Sequence, residues 1–127
     1  MGTPYQYVLV SDNPQREARF RKKRAENAKK KGGRGSFYAF HGSAIGNWHS
    51  IFRGGLRNYS NTDKMSCGAA YGPGIYMASN ASTSFGYMAA GAGWDKSMMI
   101  KSGTASTIAC IALCEGTHSP VLQLNTT

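Results

Sequence analysis

The chain has 127 residues, enough for one domain, and its hydrophobic fraction of 41% lies well above that of a disordered segment. The longest apolar run, Ile108 to Cys114, is far short of the ~20 residues that a membrane-spanning helix needs, so no such helix is expected. The net charge of +9 directs attention to anionic partners.

No secretory leader is expected, because Tyr5 to Val10 is a short apolar stretch without a small-residue cleavage site after it. Cys67, Cys110 and Cys114 are odd in number and lack paired C-x-x-C spacing. That disfavours both a disulfide framework and a zinc site, and reads as reduced, mostly buried thiols in an intracellular protein. A metal centre on His41, His49 and His118 has no ligand spacing to recommend it.

In chain order, Tyr5 to Val10 alternates apolar and polar residues and predicts a strand. Asn13-Pro14 then opens a helix, with Asp12 or Asn13 as cap and Pro14 at the first helical position. Lys29 to Lys31 suit its C-terminal end and Gly32-Gly33 stop it, with Phe20 expected as its main anchor. Residues 12–34 hold ten Lys or Arg against Asp12, Glu17 and Glu26, so +7 of the +9 sits in this one segment.

Phe37 to Phe40 has strand propensity and ends at His41-Gly42-Ser43. Ile45, Trp48, Ile51 and Phe52 recur at helical spacing, and Gly54-Gly55 end that helix. Arg57 to Ala70 reads as a loop, and Gly74 to Ala78 as a second strand entered through a turn at Tyr71 to Gly74. Asn80 or Ser82 caps a helix expected to run through Ala90 and to bury Phe85 and Met88. Residues 91–106 lack periodicity and read as a flexible loop. Thr107 to Cys114 is apolar on both faces, which predicts a central, doubly covered strand. The last eleven residues are polar and expected to fray. Strands interleaved with short helices give a mixed α/β or α+β sheet domain.

Taken singly, the chemistry-bearing groups are weak. Gly72-Pro73-Gly74 enters a strand and is no dinucleotide-binding fingerprint. Beyond the basic helix the only acids are Asp63, Asp95 and Glu115, too few for a Ser-His-Asp set or a carboxylate pair. In combination they say more. His41-Gly42-Ser43, Asn47-Trp48-His49-Ser50-Ile51, Gly55-Leu56-Arg57, Gly72-Pro73-Gly74-Ile75-Tyr76, Ser84 and Tyr87 occur in that order. The set resembles the catalytic domain of the poly(ADP-ribose) polymerase family, the diphtheria-toxin-like ADP-ribosyltransferases, from about Phe37 to Glu115. Its phrases look most like the mono-ADP-ribosyl transferring branch.

The resemblance implies an α+β fold with a mixed, antiparallel split sheet and short helices, incomplete at its C-terminus. It divides the chain into an N-terminal strand and basic helix (1–36), a partial catalytic core (37–116) and a polar tail (117–127). It implies NAD+ as substrate, with no metal. The Gly42 main chain and the Ser84 hydroxyl would hold the nicotinamide carboxamide, and Tyr76 and Tyr87 would sandwich its ring. His41, with Ser43 beside it, would bond the adenosine ribose, and Arg57 would lie on the adenine and ribose side. Lys64 is a weaker candidate for the pyrophosphate. His41 and Tyr76 match two catalytic motif positions. The third lies on a later strand that this chain does not reach, and Glu115, in a structural-strand context, is not its substitute.

The implied activity is transfer of single ADP-ribose units from NAD+ to an acceptor, a protein in the first instance, with release of nicotinamide. Two alternatives remain. One is a catalytically silent NAD-binding pseudoenzyme or truncated product. The other is a basic nucleic-acid-binding protein acting through residues 16–34.

Overall fold

A computed structural model describes residues 6–10, 12–57, 74–91, 94, 96–98, 108–117 and 124–125. Helix α1 (Pro14–Ala28) begins where the sequence places it. The Asn13 side chain accepts from the Gln15 and Arg16 amides at 2.9 and 3.2 Å, and Pro14 needs no such partner. Past Ala28 the chain turns through Gly32 at φ +68°, a left-handed conformation open to glycine. Gly33 is held for a different reason, since a Cβ there would lie 2.1 Å from the Asn27 carbonyl oxygen. The buried residue of α1 is Asn27, not Phe20. Phe20 is half-buried, with the Arg24 guanidinium 5.6 Å from its ring centroid.

The expected N-terminal strand is absent from residues 6–10. Tyr7, Val8, Leu9 and Val10 are 60%, 85%, 64% and 92% exposed. Alternation specifies a strand only where one of its two faces is covered, and here both face solvent.

Strand β1 (Phe37–Ser43) is the centre of the domain. A 3-10 turn (Ile45–Asn47) leads into α2 (Trp48–Gly54), which ends at Gly55 with φ +79°. Strand β2 (Met77–Ala78) pairs antiparallel with β1 through Phe40 and Ala78, so only the last part of the expected Gly74–Ala78 strand forms. Helix α3 (Ala81–Phe85) is capped by Asn80, whose side-chain oxygen accepts from the Thr83 amide at 2.9 Å. It stops well short of Ala90. Gly86, Tyr87 and Met88 continue in i to i−3 bonds, and Ala89 then bridges to Ala44. Phe85 is 46% exposed, not buried as expected.

Strand β3 (Cys110–Gly116) pairs antiparallel with β1 along its whole length, from Phe37 opposite Gly116 to Ser43 opposite Cys110. The sheet order is β3-β1-β2-β4, with β4 (Leu124–Asn125) parallel to β2. Two expectations change here. Strand β3 stands at the edge among the described residues, and Leu113 is 58% exposed, so it is not the doubly covered centre. An apolar composition reports burial tendency but not which neighbours are present. The C-terminal stretch also contributes a short strand instead of fraying throughout.

The mixed sheet with short helices is an α+β arrangement. Among the described residues its core holds Ala39, Ile45, Trp48, Met77 and Ala78, with Trp48 only 1% exposed. Trp48 Nε1 donates to the Ser43 carbonyl at 3.2 Å. Phe52 packs on Trp48 at 5.6 Å and meets Trp94 edge-on at 6.1 Å. Trp94 Nε1 in turn donates to the Ile45 carbonyl at 3.0 Å, so this residue of the expected flexible loop is anchored. Asn58 to Pro73, with Cys67 and Lys64, and His118 lie outside the described residues.

Candidate functional site

The end of β1 carries the candidate site. Strand alternation sends the side chains of His41 and Ser43 to one face and the Cα hydrogens of Gly42 to the other. On the first face the His41 ring meets Trp48 edge-on at 6.1 Å. His41 Nδ1 lies 2.9 Å from the Tyr76 carbonyl oxygen. A carbonyl only accepts, so Nδ1 carries the proton and Nε2 presents a lone pair. Burial holds the His41 pKa below its ordinary value, against the opposing pull of the Tyr76 carbonyl. The ring is therefore neutral at pH 7, with one fixed donor and one fixed acceptor.

On the second face α3 presses against Gly42. A Cβ at Gly42 would sit 2.1 Å from the Ser84 carbonyl oxygen, so only glycine fits there without moving α3. Ser84 is 3% exposed and its hydroxyl donates to the Phe40 carbonyl at 3.0 Å. Toward an incoming amide this hydroxyl offers lone pairs, and its own proton only if it leaves Phe40. Tyr87 follows one turn later, its amide bonded to the Ser84 carbonyl at 3.1 Å, and its side chain is exposed. Strand β1 is bridged at Phe40 by β2, and Ala44, just past its end, is bridged by Ala89, with Gly42 midway between the two.

The structure thus places the Tyr76 carbonyl beside His41 on one face of this strand end, and Ser84, with Tyr87 one turn later, against Gly42 on the other. Ser43 belongs to the support: its hydroxyl accepts from Asn47 Nδ2 at 2.9 Å and its carbonyl from Trp48. Arg57 stands apart. It is exposed, and its guanidinium folds back to within 3.4 Å of where a Gly54 side chain would begin. Glu115 is engaged elsewhere, accepting from Ser36 Oγ at 2.6 Å and Arg24 Nη1 at 3.2 Å near the start of β1. The Ser36 hydroxyl and then the Arg24 guanidinium hold its carboxyl below the usual range. Sequence reasoning missed Trp94 as a support and the Ser84 carbonyl as the neighbour that requires Gly42. Neither contact leaves a local pattern in the chain.

The same ordered set of residues is matched by a family model, the poly(ADP-ribose) polymerase catalytic domain, over residues 7–121. The chain belongs to this family. It is 40% identical to protein mono-ADP-ribosyltransferase PARP8 of Mus musculus over 97% of its own length and 16% of that protein. It is 51% identical to the Homo sapiens PARP8 over 68% of the chain and 9% of that protein. Homo sapiens protein mono-ADP-ribosyltransferase PARP16 is 33% identical over 76% of the chain and 27% of that protein. The chain therefore spans a small part of these relatives. No solved structure matches it. Among the described residues no helix is long and apolar enough to cross a membrane.

Proposed function

We propose that the chain is an NAD+ ADP-ribosyltransferase domain that transfers single ADP-ribose units to a protein acceptor and releases nicotinamide. The observation that supports this reading is the end of β1, where Ser84 packs on the Gly42 main chain, Tyr87 follows one turn later, and the Tyr76 carbonyl fixes a neutral His41 whose Nε2 accepts. These groups fit the donor. A carboxamide has one carbonyl and one NH2, which main-chain N–H and C=O can meet together, and an aromatic ring stacks on a flat pyridine. The Nε2 lone pair suits a ribose hydroxyl. Arg57 joins the adenine side only after its guanidinium leaves Gly54.

The reaction follows from how the donor is held. The bond between the ribose anomeric carbon and the nicotinamide nitrogen breaks, and nicotinamide leaves as a neutral molecule with the bonding pair. Positive charge develops on the ribose. Fixing the leaving group while the ribose turns away favours this step, an orientational effect of several kcal/mol. An acceptor side chain attacks the anomeric carbon from the opposite face and loses its proton to solvent.

Turnover is tested by nicotinamide release from NAD+ in the presence of total protein acceptor. Release should be lost in His41→Ala and in Tyr76→Ala, each checked for a folded circular dichroism spectrum. Release that persists in both removes the reading. The alternative reading is a donor-binding module without turnover. Calorimetric binding of NAD+ with no nicotinamide release would select it.

A further inference from the structure

Helix α1 carries a charge pattern that the donor site does not use. Arg19, Lys22 and Lys23 lie at i, i+3 and i+4 on the helix, Glu26 follows, and Lys29 and Lys30 come just past its end; all are exposed. They form one stripe beside the packed face marked by Phe20 and Asn27. Other cations of the helix are already paired: Arg16 with Asp12, Arg21 with Glu17 at 2.7 Å and Arg24 with Glu115 at 3.2 Å. On the stripe Lys23 approaches Glu26 at 4.0 Å. Arg19, Lys22, Lys29 and Lys30 make no ion pair among the described residues. Past the helix end, Lys30, Lys31 and Arg34 line a shallow groove of about 380 Å³.

We propose that this stripe is a docking surface for the phosphate backbone of duplex DNA, bound without regard to base sequence. The ten residues from Arg19 to Ala28 span ~15 Å of helix, and Lys29 and Lys30 extend the stripe past its end, enough to reach phosphates on both sides of a major groove ~12 Å wide. The stripe holds no aromatic side chain on which an unpaired base would stack, which disfavours single strands. The deep, narrow major groove of A-form RNA excludes a helix. A membrane-surface helix needs a broad apolar face, and beside this stripe the helix offers the half-buried Phe20 and the small Ala18, Ala25 and Ala28. The helix is tied to the start of β1 through Arg24, Glu115 and Ser36, so bound DNA lies toward the opposite end of that strand from His41 and Gly42.

The test is fluorescence anisotropy of a labelled 20-base-pair duplex titrated with the whole chain between 50 and 200 mM KCl. The logarithm of the affinity should fall with that of salt at a slope of about −4 to −5, and a second duplex of unrelated sequence should bind equally. The variant Arg19→Gln/Lys22→Gln/Lys29→Gln/Lys30→Gln keeps helix propensity. It should lose more than roughly tenfold affinity and flatten the slope by about 3. A control, Arg53→Gln/Lys96→Gln, removes exposed cations elsewhere and should bind within about twofold of the parent. The proposal is overturned if the four-site variant binds like the parent, or if the control loses as much per charge. It is overturned equally if single-stranded DNA binds more tightly than duplex. Capture by phosphatidylserine vesicles at a salt concentration where duplex DNA is not bound would also overturn it. None of these outcomes depends on NAD+ binding or turnover.

Discussion

Replacing Gly42 by Ala puts one methyl group where the main chain of α3 already is. The new Cβ would lie 2.1 Å from the Ser84 carbonyl oxygen, 3.1 Å from its carbon and 3.4 Å from Met88 Cγ. Ordinary contacts begin near ~3.5 Å, so α3 must retreat by more than roughly 1 Å. The nearest atoms are backbone, and no flexible side chain can yield in their place. Overpacking of this kind costs about 1–3 kcal/mol. The retreat also stretches the Ser84 hydroxyl from the Phe40 carbonyl, a bond of 3.0 Å contributing about 1 kcal/mol. The sum, about 2–4 kcal/mol, is a large part of the roughly 5–15 kcal/mol that holds a domain folded. At roughly 4 °C per kcal/mol for a chain of this size, the melting temperature should fall by ~8–16 °C. Thermal unfolding followed by circular dichroism reads the shift. Gly46→Ala is the matched control, since a Cβ there meets nothing within 4 Å and should change stability by less than about 1 kcal/mol. Melting of Gly42→Ala within ~2 °C of Gly46→Ala would refute the close approach of α3 to β1.

Three further outcomes are expected. Because burial depresses the His41 pKa in the folded state, the unfolded chain binds the proton first as pH falls below about 6.5. Stability and NAD+ affinity should therefore be full above that pH and decline toward the depressed value, whereas His41→Gln should remove this part of the pH dependence; an unchanged profile contradicts the assignment. Glu115 is depressed by Ser36 and Arg24, so its contribution is present above the usual glutamate range and is lost as acid titrates it. Its partial exposure limits Glu115→Gln to less than about 1 kcal/mol, and nicotinamide release should survive that change; loss of release in a folded variant would make Glu115 catalytic. Burial pushes the Cys110 thiol up to about 11, so at pH 8 it should react with iodoacetamide on the order of 100-fold more slowly than an ordinary thiol, read by mass spectrometry of its peptide. Rapid labelling of Cys110 in folded protein would contradict its burial.

Local chemistry in the sequence placed much of this molecule. Asn13-Pro14 starts α1 and Asn80 starts α3 because each asparagine satisfies amides within three residues of itself. Gly55 ends α2 because its positive φ suits a residue without a Cβ. The ordered motif from His41 to Tyr87 was equally legible; at the end of β1 His41 meets the Tyr76 carbonyl and Gly42 meets Ser84, whereas Arg57 lies by Gly54. Failures came wherever the outcome rested on a distant neighbour. Tyr7 to Val10 alternates like a strand yet faces solvent, and the apolar β3 lies at an edge among the described residues because its own composition does not encode which strands pair with it.

By itself, then, the chain determined its caps, its turns, its basic segment and the identity of the candidate donor-site groups, since these depend on residue type and short spacing. Tertiary structure alone decided that Ser84 gives its hydroxyl to Phe40, that His41 is fixed as an Nδ1–H tautomer by Tyr76, and that Arg57 turns toward Gly54. Each of those is a contact between segments brought together by packing, and the energy that selects it exists only once the sheet has formed.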